Sequence, residues 1–136
     1  MADLSITAAN VKQGANASRG TGTAGATITA GQAVRRNGAG LVVLAQADEA
    51  ATADADGIAL NGAANGQPVA YHTGGGINMG ATLVVGMVYA VSAAAAGGIA
   101  PIGDLTMGDF VTVLGVATAA DNLQCSIINS GAEKPA

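Results

Sequence analysis

Gln32-Ala-Val-Arg-Arg-Asn-Gly-Ala-Gly-Leu-Val-Val-Leu44 is the stretch that decides the fold class of this chain. Two short apolar runs flank Asn37-Gly38, a strong hairpin signal because both residues tolerate a positive φ. Working outward, the same grammar repeats. Ala26–Thr29 reads as a strand that turns at Ala30-Gly31 into the first arm of the hairpin. Downstream, the pattern predicts strands at 57–60, 68–73, 83–85, 87–91, 98–102, 110–116 and 123–128. Asn61-Gly62 and Asn65-Gly66 mark a loop, and Gly74-Gly75-Gly76 is expected to end the strand that begins at Pro68. Ala45–Ala55 is the one helix expected, short and without an apolar stripe. Short β-branched elements divided by Gly, Asn and Asp predict an all-β fold, a small β-barrel or sandwich.

Residues 1–25 differ from the rest. Leu4–Val11 reads as a strand, but Lys12–Gly25 is polar and glycine-rich with little to bury. The expectation is an extended N-terminal arm (1–25), a barrel-like domain (26–131) and a frayed tail (132–136). The arm's Leu4, Ile6, Val11 and Arg19, with Arg35 and Arg36 at the hairpin, are the candidate contact residues for a neighbouring protein or a sister subunit.

The chain has 136 residues, enough for one domain with one core and not two. Half of it is hydrophobic, yet only 2% is aromatic: Tyr71, Tyr89 and Phe110. Small side chains bury little area each, so a lone monomer should be modestly stable and gain by assembling. Charged residues make up 10%, well under the roughly 25% usual for soluble domains. Such a surface suits a lattice in which protein meets protein. The five basic residues against a net charge of −4 argue against nucleic-acid binding. Ala81–Ala96, interrupted by Thr82, Gly86 and Ser92, is short of a membrane span. The N-terminus shows no secretory pattern, so synthesis in a cytoplasm is expected.

Catalytic signals are weak. Gly20-Thr-Gly-Thr-Ala-Gly25 matches a dinucleotide-binding motif in letters only, because no strand precedes it and no helix follows. His72 is the sole histidine and Cys125 the sole cysteine, far apart, with no nucleophile elbow. Asp48, Glu49, Asp54 and Asp56 form an acidic cluster without the spacing of a calcium loop. The reading is no enzyme, no cofactor and no metal site. Against it stands a small ligand-binding barrel or enzyme using His72 and the acidic cluster.

One internal repeat is visible. Asp56-Gly-Ile-Ala-Leu-Asn61, followed by Pro68–Thr73, resembles Leu114-Gly-Val-Ala-Thr118, followed by Leu123–Asn129. A hairpin-like unit precedes each, so two halves are expected to pair about a pseudo-twofold axis.

Ile28-Thr-Ala-Gly-Gln-Ala-Val34, Asp56-Gly-Ile-Ala-Leu60 with Gly66-Gln-Pro-Val69, Ala96-Gly-Gly-Ile-Ala-Pro-Ile102, Gly108-Asp-Phe-Val-Thr-Val-Leu-Gly-Val-Ala117 and Leu123-Gln-Cys-Ser-Ile127 occur in that order. The pattern, over residues 26–131, resembles the capsid cement, or head decoration, proteins of tailed bacteriophages. The resemblance implies a tulip-like β-sandwich or barrel. It also implies many copies on the exterior of a virion, as homotrimers that clamp neighbouring major capsid subunits against internal DNA pressure. It transfers no individual contact residue, and the alternative to it is another assembly component, a tail-tube or fibre-type structural subunit.

Overall fold

In a computed structural model, which describes residues 3–4, 6–14 and 16–134, the short apolar runs form ten strands. They are β1 (Val11–Gln13), β2 (Ser18–Thr23), β3 (Ala33–Arg36), β4 (Val42–Leu44), β5 (Gly57–Ala59), β6 (Pro68–Met79), β7 (Val88–Val91), β8 (Ile99–Pro101), β9 (Phe110–Ala119) and β10 (Asn122–Glu133). One short α-helix, α1 (Ala50–Ala53), joins β4 to β5, and two single 3-10 turns, Ala8–Asn10 and Ile102–Asp104, supply the other helical residues. With 48% strand and 8% helix, the chain is all-β, and its antiparallel sheet curls into a half-barrel.

The strand order is β4-β3-β5-β6-β10-β9-β7-β8, with β1 and β2 both paired to β6 off that path. This order is a palindrome. Replacing β3, β4, β5 and β6 by β7, β8, β9 and β10 turns one half into the other. The registers agree residue by residue. Ala33 and Val34 pair with Ile58 and Gly57, as Val88 and Tyr89 pair with Val116 and Gly115. Ala59 N–H donates to Gln32 O, and Ala117 N–H donates to Met87 O. Gly31 N–H donates to Ala59 O, and Gly86 N–H to Ala117 O, with both glycines at left-handed φ. A Cβ at Gly57 would collide with His72 O, and one at Gly115 with Gln124 O, so both positions need the smallest residue. The repeat visible in sequence is thus a repeat of hydrogen bonding.

Two apolar clusters, not one, fill the interior. The larger holds Ile58, Ile77, Met79, Tyr89, Ile99, Leu114 and Leu123 among others, and the smaller is built on Ile28, Val34, Val42, Val69 and Tyr71. Alternation explains the split. Ala33 and Ile58 face the large cluster, while their neighbours Val34 and Ala59 face the small one. A curled sheet with β1 and β2 added to β6 leaves both faces of β3 and β5 covered. The expectation of a single core therefore fails here.

Other differences are local. The hairpin forms, but Asn37 serves it as an acceptor: its Oδ1 takes Ala39 N–H and Leu41 N–H, and the left-handed residue is Gly40. The helix shrinks from the expected 45–55 to four residues because Ala45 N–H and Ala47 N–H donate to Ala33 O and Ser92 O. The strand expected at 83–85 is a turn, closed by Met87 N–H to Val84 O. The glycine triplet does not end β6, which continues to Met79 with Gly74, Gly75 and Gly76 paired to Ser126, Cys125 and Gln124. Glu133 lies in β10, and Lys134 N–H donates to Asp109 O, so the described part of the tail expected to fray is paired; Pro135 and Ala136 lie outside the described residues.

Candidate functional site

The segment expected as an arm is held along its described length by the chain's own sheet. Leu4 N–H donates to Ile99 O of β8 at 2.7 Å, and Thr7 N–H to Gly80 O at 2.8 Å. β1 pairs with Ile77–Met79 and β2 with Pro68–Gly74, both antiparallel. Ala24 then bridges Val42, and Gly25 N–H donates to Val42 O at 2.8 Å. One strap thus runs from β8 to β4, the two end strands of the sheet, by way of β6. Unpaired sheet edges invite further strands; here the strap occupies part of each.

The strap absorbs half of the candidate contact residues. Leu4 and Ile6 pack partly buried against the large cluster, and Val11 is inside it. Arg36 is exposed, yet its guanidinium is committed within the chain. Nε donates to Tyr71 Oη at 2.9 Å, Nη1 to Gly40 O at 3.2 Å and Nη2 to Thr21 O. It also lies 5.7 Å from the centre of the Tyr71 ring, a cation–π distance. Arg36 therefore ties β3, β6 and the strap together. Arg35 is half-buried and its Nε is buried without a hydrogen-bond partner, while Arg19 on β2 is exposed. The six residues do not form one surface.

His72 lies at the middle of β6 and is fully buried. Its two ring nitrogens sit 3.1 Å from Gln13 Nε2 of β1 and 2.9 Å from Gly75 O. A carbonyl can only accept, so Nε2 carries the proton. Nδ1 then accepts from the Gln13 amide, whose nitrogen also donates to Ser18 O at 3.0 Å. The network defines a neutral imidazole of one tautomer. Burial lowers the His72 pKa below the usual 6.5, against a smaller upward pull from the Gly75 carbonyl.

The remaining reactive groups are similarly placed. Cys125 is buried in the large cluster, and burial pushes its thiol up to about 11. Asp48, Glu49, Asp54 and Asp56 are exposed, and Asp56 Oδ2 accepts Arg36 N–H at 2.6 Å. Among the described residues, no three His, Cys, Asp or Glu side chains are placed to hold a metal ion. A recess of about 480 Å³ is lined in part by Asp3, Ser92, Asp104, Thr106 and Asp109. Within it, Ser92 Oγ donates to Asp3 Oδ1 at 2.7 Å, and Thr106 N–H and Oγ1 both donate to Asp109 Oδ2. The acidic recess was not foreseen, since its carboxylates are 106 positions apart at the extremes and only the strap brings Asp3 to β7 and β8.

Several apolar side chains are exposed. Val84 and Val85 at the turn before β7 are 52% and 64% exposed, and Met107 is 71% exposed. Val116 and Ile128 on β9 and β10 are also exposed. Val116 is the register partner of Val88 and neighbours Ala117, whose carbonyl takes the Gly86 N–H of the Val84-Val85 turn. A scan against models of known protein families finds no match, and a search of curated proteins finds none either.

Proposed function

We propose that this chain is a head decoration protein of a tailed bacteriophage. On this reading it is a non-enzymatic component of the virion exterior that binds the capsid and clamps neighbouring major capsid subunits. The observation that carries the reading is a charge-poor half-barrel with exposed Val84, Val85, Met107, Val116 and Ile128, a surface suited to protein contacts. The order of strand-and-turn motifs supports it through the family resemblance. The placement of His72 and Cys125 in the packing supports it too, because the side chains best suited to nucleophilic or acid–base chemistry serve the fold.

Repeated copies on a shell make modest single contacts effective, and a protein that binds only the expanded shell stabilises it by linkage. The partners are the major capsid protein and sister copies in a homotrimer, with no cofactor.

The test is co-sedimentation of the purified protein with expanded phage heads lacking their own decoration protein, alongside its mass in solution. Saturable binding at a fixed ratio, from a trimer or a monomer that trimerises on the shell, is the expected result. Rings or tubes formed without heads would replace the reading with a tail component. A monomer inert toward heads would reject it in favour of a ligand-binding barrel.

A further inference from the structure

The strap meets β6 mainly through main-chain pairing, and one side-chain latch stands at its centre. Gln13 ends β1, and its amide nitrogen spans the gap to β2 by donating to Ser18 O and to His72 Nδ1. Ser18 Oγ adds a 2.8 Å hydrogen bond to Thr73 Oγ1 beside the latch. His72 faces Gln13 from β6 with no exposed surface, and its other nitrogen is held by Gly75 O.

We infer that His72 is an acid-sensitive latch: protonation of Nδ1 sets two donors against each other and releases β1 and β2 from β6. Rotating the Gln13 amide restores the bond to His72 only at the expense of the other, because its oxygen would accept from His72 while the amide nitrogen left Ser18 O. The surroundings supply no counter-charge. Arg19 of β2 and Ile58 of β5 are the register partners of His72, and Cys125 and Ser126 of β10 pair with Gly75 and Gly74. None of these is an anion, and Arg19 adds a positive charge. A cation at His72 is therefore both desolvated and unpaired. Release of β1 and β2 lets water reach the imidazolium and exposes the edge of β6. The inference does not depend on the capsid reading.

With a single histidine in the chain, its ring resonances are unambiguous. The experiment is NMR on the full chain from pH 8 to 5, following the ring and the amide exchange of residues 11–13 and 18–23. Amides of β9 and β10 serve as the internal reference, so the intrinsic pH dependence of exchange cancels. The expected result is that relative exchange of the strap amides rises by up to about tenfold per pH unit as the ring gains its proton. In His72→Gln this ratio should stay flat. Should that variant not fold, Gln13→Ala should show raised strap exchange at every pH, with the ring titrating nearer its ordinary value. A ring that titrates while the strap ratio stays flat overturns the inference. So does a ring that stays neutral to pH 5, or a pH trend that survives in a folded His72→Gln.

Discussion

Single residues decide more here than their size suggests. Gly57 and Gly115 hold equivalent places in the two halves, each against the carbonyl of the next strand. Gly57→Ala and Gly115→Ala should each lower the unfolding free energy measured by urea titration by about 1–3 kcal/mol, the usual cost of overpacking. Arg36→Lys keeps the charge but loses the fork that reaches Tyr71, Gly40 and Thr21 together, and should cost about 1–2 kcal/mol in the same assay. His72 gives stability a pH dependence of definite sign. Its folded pKa is lowered, so its contribution is complete above about 6.5, where the unfolded histidine is also neutral. It is lost as pH falls from there through the lowered value, because the unfolded chain takes up the proton first. In thermal melts the difference between wild type and His72→Gln should be constant above this window and change within it, because only the wild type loses this contribution as pH falls. Cys125, with its thiol raised to about 11, should react with iodoacetamide at pH 8 far more slowly in native than in urea-unfolded protein.

At the level of elements, the strap is where sequence and structure part. The hairpin at Asn37, the strands around Ile58, Tyr89, Leu114 and Leu123, and the repeat were all legible, because apolar alternation and turn residues record burial. β2 was not. Ser18-Arg-Gly-Thr-Gly-Thr23 carries no apolar period, since its contribution is main-chain pairing along β6. Its glycines are there for clearance: a Cβ at Gly20 would strike the Tyr71 ring. The Val84-Val85 turn misled for the opposite reason, as an apolar β-branched pair that faces solvent. His72 was noticed, but its role was not, because Gln13 lies 59 positions away and only the β1–β6 pairing joins them. Removing residues 1–25 should therefore lower the melting temperature and promote self-association, seen as early elution in size-exclusion chromatography, since the edges of β4, β6 and β8 lose their cover.

For the whole molecule, the palindromic sheet means that one supersecondary unit is used twice, and the strap breaks the symmetry. The halves share a pattern of hydrogen bonding but not their side chains: Val116 is exposed where its counterpart Ile58 is buried, and the apolar turn Val84-Val85 is exposed where its counterpart, Thr29-Ala30, is polar and small. Contacts with a capsid or a sister copy are proposed for that distinctive half. Val85→Asp and Met107→Glu, both at well-exposed positions, should change stability by no more than about 0.5 kcal/mol. On the proposed reading they should reduce occupancy on heads, measured by the same co-sedimentation.

The strap also sets the order in which this chain can finish folding. Residues 4 to 25 leave the ribosome early, but their partners lie at 99, at 68–80 and at 42. During synthesis the strap therefore waits as an unpaired polar thread while the strands beneath it are still being made. Its last tie, Leu4 to Ile99, cannot close until most of the chain is out. Contacts of such long sequence separation slow folding. A glycine-rich, weakly hydrophobic strap is one that can wait without aggregating, and the poverty of side chains that hid β2 from a reading of the sequence is what makes the delay safe.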